Sequence, residues 1–168
     1  MSMETLFLET KVLAADDGSV EGVAWRYDQP DRIGDMIAPG AFKSASLPIT
    51  MCAFHDMGDP VGTWDHAEDR NGEWYLKGRL FVDDVARARE MRALVKGGAI
   101  KGLSVGFLTG KAEARPGGGR LIKSLELFEV SLVTAGMHPA AKVRAKSAVQ
   151  ALQLAAAINR ATAQIGKG

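Results

Sequence analysis

The feature that most constrains this chain is a pair of long β-forming runs, Leu103 to Ala112 and Leu121 to Val133, joined by the flexible turn Pro116-Gly117-Gly118-Gly119. The first run follows a helical pattern that stops at Gly97-Gly98, and it opens on Gly102-Leu103-Ser104-Val105-Gly106-Phe107. Shorter strand patterns fill most of the chain before it. Residues 5–13 read as a first strand, followed by the turn signal Asp16-Asp17-Gly18, and Val20 to Tyr27 as a second. Residues 28–40 carry Pro30, Gly34, Pro39 and Gly40 with Asp28, Asp31 and Asp35, which predicts a long solvated loop. Phe42 to Leu47 fits one helical turn, and Ile49 to His55 a strand that His55 closes.

Val61 to Ala67 and Glu73 to Phe81 flank Asp69-Arg70-Asn71-Gly72, a hairpin signal because Asn-Gly tolerates the positive φ such turns need. Asp83 and Asp84 are expected to begin a helix whose apolar stripe is Val85, Ala88, Met91, Leu94 and Val95. From Ala145 the composition turns alanine-rich, with Leu154, Ile158, Ala161 and Ile165 at helical spacing. The expected fold is α+β, mainly β: a small β-barrel of about seven strands with surrounding helices and a C-terminal helix, not an alternating βαβ sheet. Residues 1–145 form the barrel domain in this reading, and 146–168 a helical tail.

Composition narrows the function. The 168 residues carry 21 basic and 20 acidic side chains, without the basic excess of a general nucleic-acid binder. One cysteine, Cys52, excludes an internal disulfide and a multi-cysteine zinc site, so the chain reads as cytosolic. No apolar run is long enough to span a bilayer, and Met1-Ser2-Met3-Glu4 lacks the basic start of a signal peptide.

Three segments carry chemistry. Ser104 lies between Gly102 and Gly106, which remove bulk and would let a substrate backbone approach; alone, it reads first as a strand serine between close-packed glycines. His55 precedes a loop and has the side chain most often used as a general base. Glu129 interrupts the apolar face Leu125, Leu127, Ser131, Val133. A charge there demands a partner, either an arginine or a histidine whose tautomer it fixes. His66 is a rival base on an exposed strand position, and His138 falls in a loop. His55, Asp56, Asp65 and His66 offer a metal-site alternative, although their spacing is not that of a helical ligand pair. Cys52 and His55 point to opposite faces, which argues against a thiol nucleophile.

Together these segments resemble the prohead (capsid maturation) proteases of tailed phages of the HK97 type. The resemblance covers roughly residues 5–143. It rests on Gly22-Val23-Ala24, Asp31 with Gly34-Asp35 and Ile37, Pro39-Gly40-Ala41-Phe42, and His55-Asp56 with Pro60-Val61-Gly62. It continues through Leu94-Val95-Lys96-Gly97-Gly98, the Ser104 segment, Leu127 to Val133, and Pro139-Ala140. It implies an assemblin-like barrel, distantly similar to the herpesvirus enzymes, and a serine endopeptidase that removes the scaffolding segment of the major capsid protein and processes itself. Carried over by position, Ser104 is the nucleophile, His55 the base and Glu129 the third member, where assemblins have histidine. Arg144 is a loose candidate for oxyanion support. The resemblance implies no metal or organic cofactor, no specific nucleic acid and no membrane partner. It implies a place in the bacterial host cytoplasm inside the procapsid, with the capsid protein as partner and a homodimer through the helices as a further expectation. The competing readings are a non-catalytic barrel that binds capsid or scaffold protein, and a metal-dependent phosphohydrolase built on His55, Asp56 and His66.

Overall fold

A computed structural model describes residues 3–9 and 12–134. The expected tail, His138, Pro139-Ala140 and Arg144 lie outside the described residues. Within them the chain forms β1 (Glu4–Glu9), β2 (Leu13–Ala14), β3 (Ser19–Arg26), β4 (Met36–Ile37), β5 (Ile49–Ala53), β6 (Pro60–Arg70), β7 (Glu73–Leu80), α1 (Ala86–Lys96), β8 (Ile100–Ala114) and β9 (Arg120–Thr134). The strands make one nine-stranded sheet in the order β1-β8-β9-β5-β6-β7-β3-β2, with β4 pairing β9. The sheet curls until β3 comes close to β8 and β1. This is the mainly β architecture the patterning predicts, with more strands than expected because residues 5–13 split in two and β4 forms inside the long loop.

β8 and β9 pair antiparallel along almost their whole length, while β5 joins β9 in parallel. The concave side is filled by Leu103, Val105 and Phe107 of β8, Val130 and Leu132 of β9, and Met51, Trp64 and Leu76 from the strands beyond, each buried. Trp64 Nε1 donates to the Val130 carbonyl at 2.9 Å, so the indole nitrogen is satisfied inside this core. The β6–β7 turn has Asn71 and Gly72 both at positive φ, 51° and 77°, which fits the Asn-Gly signal.

Two local expectations are corrected. Asp83 and Asp84 do not enter the helix: Val85 is its N-cap, and no acidic residue lies in its first turn. The Val85 N–H goes to the Phe81 carbonyl, 2.8 Å away, so the two aspartates belong to the preceding turn. Ala41 to Ser44 form successive turns, held by Phe42 stacked on Trp74 with ring centroids 3.8 Å apart, not a helical turn.

The loop of residues 28–40 is not simply solvated. Asp35 is 2% exposed and accepts from the Arg120 backbone N–H at 2.7 Å, from Nε at 3.0 Å and from Nη2 at 2.6 Å. Nη2 also meets Glu4 Oε2 at 2.6 Å, and Thr109 Oγ1 donates to Glu4 Oε1 at 2.6 Å. One guanidinium thus ties the loop and the edge strand to the start of β9. Removing it would strand a buried carboxylate, so Arg120→Ala should lose about 3 kcal/mol in urea unfolding. Hydrogen bonds from Arg120 and then Thr109 also hold the Glu4 carboxyl below its ordinary range. Its contribution is therefore present above the ordinary glutamate pKa and is lost as pH falls through the lower folded value. Urea midpoints measured from pH 6 to pH 3 should fall less steeply for Arg120→Ala than for the unaltered chain.

Candidate active site

β5 does not end on His55. Its ladder with β9 runs Thr50 opposite Glu129, Met51 opposite Val130, Cys52 opposite Ser131 and Ala53 opposite Leu132. One further bond, from the Phe54 N–H to the Leu132 carbonyl at 3.1 Å, follows before the chain turns away. Phe54 and His55 then adopt φ of 54° and 63°. Two successive side-chain-bearing residues in the left-handed region are costly, on the order of 1–2 kcal/mol each, and the surroundings must hold them there. Four nearby hydrogen bonds do so: Asp56 N–H to the Ala53 carbonyl (3.0 Å), Asp59 N–H to the Asp56 carbonyl (2.9 Å), Ala53 N–H to the Asp59 carbonyl (3.1 Å) and Gly58 N–H to Asp56 Oδ1 (2.8 Å). From α1, Arg87 Nε reaches Asp59 Oδ2 at 3.0 Å, so the helix braces the same turn.

The turn aims the His55 ring at Glu129, with Nδ1 2.8 Å from Oε1. Glu129 is fully buried, and the imidazole is 25% exposed. Because an ionised carboxylate only accepts, this contact suits a hydrogen on Nδ1, the tautomer of a neutral imidazole whose lone pair is on Nε2. The Ser131 hydroxyl donates to the other oxygen, Oε2, at 2.5 Å, and accepts from the His55 backbone N–H at 3.1 Å. Room for the carboxylate comes from Gly106, directly opposite on β8: a Cβ there would lie 2.1 Å from Glu129 Oε1. The space left by this glycine is therefore filled by the acid itself, not held open for a substrate.

Ser104 pairs with Ser131 across β8 and β9, so Ser104, Ser131 and Glu129 share one face of the sheet. Its hydroxyl does not reach toward the histidine. It is buried and donates to the Leu6 carbonyl of β1 at 2.9 Å. The structure thus joins His55 and Glu129 and sets Ser104 on their face with its proton on a third group.

The other candidates fall elsewhere. His66 is half-exposed, with Nε2 3.6 Å from Glu68. His55 Nδ1 is committed to Glu129, and no group of three metal-ligating side chains gathers among the described residues. The Cys52 thiol is pushed up to about 11, first by burial and then by the nearby Glu129 charge, which keeps it protonated. Sequence reasoning missed Ser131. The available signal was the Glu-x-Ser spacing, which sets both side chains on one strand face.

The prohead protease of Enterobacteria phage HK97 is 33% identical over 159 residues, covering 88% of this chain and 69% of that protein. A capsid polyprotein of Pseudomonas phage PAJU2 is 30% identical over 157 residues, covering 89% of this chain and 23% of the polyprotein. The solved bacteriophage T4 capsid assembly protease shares the fold, with a TM-score of 0.58 at 15% identity, over 79% of this chain and 99% of that one. Residues 7–154 match the Caudovirus prohead serine protease family, and with the identity to the HK97 protein this establishes that the chain belongs to it.

Proposed function

We propose that this capsid maturation protease is a serine endopeptidase with Ser104 as nucleophile, His55 as general base and Glu129 as the group that orients and supports the base. The observation that carries the reading is the buried Glu129–His55 hydrogen bond on the sheet face that also bears Ser104. With Nδ1 occupied by the acid, Nε2 is the nitrogen free to take a proton.

In this mechanism the Ser104 hydroxyl turns from Leu6 toward Nε2 and attacks a peptide carbonyl, passing its proton to His55. The imidazolium protonates the leaving amine, and water, deprotonated by the same nitrogen, hydrolyses the acyl-enzyme. Glu129 offsets the imidazolium charge in between. The proposed substrate is the scaffolding segment of the major capsid protein, with self-cleavage as a second event, inside the procapsid in the host cytoplasm. The match to a protein named capsid polyprotein supports the pairing of this kind of chain with capsid protein.

One observation favours the competing reading of a non-catalytic capsid-binding barrel: Ser104 is buried with its hydroxyl held by Leu6. Co-expression with the cognate major capsid protein, read by intact mass, separates the two. Ser104→Ala and His55→Ala should each abolish processing with the fold intact, and the double variant should lose nothing further, because the pair acts as a unit. Unchanged processing in Ser104→Ala would exclude Ser104 as the nucleophile, and no processing by the unaltered chain would favour the binding reading. Glu129→Gln should slow processing without abolishing it, since the amide still accepts a hydrogen bond but carries no charge.

Gly106→Ala provides a test of the acid's seating that needs no substrate. The added methyl collides with Glu129, so it should cost about 1–3 kcal/mol as an overpacked site does. Combining it with Glu129→Ala should cost less than the sum of the singles, because the collision disappears. Strict additivity in chemical denaturation would contradict the close approach.

A further inference from the structure

We propose that Ser131 is a positioning residue of this site, its single hydroxyl holding both the acid and the turn that carries the base. The inference rests on the reading of His55 and Glu129 given above. A serine hydroxyl has one hydrogen to donate and lone pairs to accept with. Here the hydrogen goes to Glu129 Oε2 at 2.5 Å, and the oxygen accepts the His55 N–H at 3.1 Å.

Both groups need that hold. A glutamate carboxylate turns freely about its last torsion, which is broad and roughly two-fold; fixing Oε2 leaves Oε1 as the oxygen presented to Nδ1. His55 sits at φ 63°, a conformation its backbone would leave if unrestrained, and its N–H has Ser131 as partner. The same atom therefore sets the position of the acid and the direction of the base. Ser131 is fully buried, directly opposite Ser104 on β8 and Cys52 on β5, so it lies at the junction of the three strands that bear the site. It is not itself placed as a nucleophile, because its proton points at the acid and not at the free nitrogen of the base.

The test uses a fluorophosphonate probe, whose phosphorus takes the activated serine oxygen with loss of fluoride, so that no peptide sequence need be known. Ser131→Ala should slow the labelling step by about 100-fold, the penalty of a misplaced catalytic group, with probe affinity unchanged. Ser131→Thr, which keeps the hydroxyl, should recover most of that loss. Labelling of Ser131→Ala at the full rate would overturn the proposal, as would equal slowing in Ala and Thr variants of unchanged melting temperature. A second measurement stands independent of turnover. The downfield proton NMR signal of His55 Nδ1–H, assigned by its absence in His55→Ala, should move upfield or vanish in Ser131→Ala; an unmoved signal overturns the proposal even if the threonine variant fails to fold. Failure of the protease reading looks different: the unaltered chain would label no faster than Ser104→Ala, while the NMR signal would still report whether Ser131 holds the histidine.

Discussion

The structure turns on one buried negative charge. Glu129 is fully buried in the middle of β9, where an unpaired carboxylate would cost several kcal/mol. Its acceptors are met by His55 Nδ1 on one oxygen and Ser131 Oγ on the other. Seating the carboxylate places demands on both neighbouring strands. β8 must carry a glycine opposite the carboxylate, which Gly106 supplies. β5 must run parallel to β9 and stop one residue beyond Ala53, so that the next turn delivers the histidine. The register of three strands is thus tied to the satisfaction of a single side chain, since a one-residue slip would send that side chain to the other face.

Much of the scaffold is legible in local sequence because it depends on local chemistry. Asn71-Gly72 marks its hairpin through positive φ, Gly97-Gly98 ends α1, and the glycine-rich turn separates the two long strands. Glu129 also stands out, since a carboxylate among apolar residues of one strand face calls for a partner. What stays hidden comes from contacts distant in sequence. Asp35 resembles its solvated neighbours until Arg120, 85 residues away, folds against it. His55 looks like a strand terminus because nothing local announces a left-handed turn at two residues without glycine. Ser131 is half legible: the Glu-x-Ser spacing sets it beside Glu129, but its bond to His55 exists only once β5 has been laid beside β9. The aspartates before α1 mislead in the opposite way, as good first-turn residues that a preceding turn claims first.

The two halves of the site are also supported unequally. Glu129 and Ser131 lie on β9 and His55 in the turn that follows β5; both strands have neighbours on both sides, and the three residues exchange hydrogen bonds among themselves. Ser104 sits on β8, whose outer neighbour is β1, the edge of the sheet, and its hydroxyl bonds to a β1 carbonyl. Edge strands are hydrogen-bonded to the sheet on one side only. The Ser104 contact thus depends on β1, whereas the bonds that join His55, Glu129 and Ser131 do not. The orientation of His55, the proposed base, is therefore built into the centre of the sheet, and the hydrogen-bond partner of Ser104, the proposed nucleophile, is set at its margin.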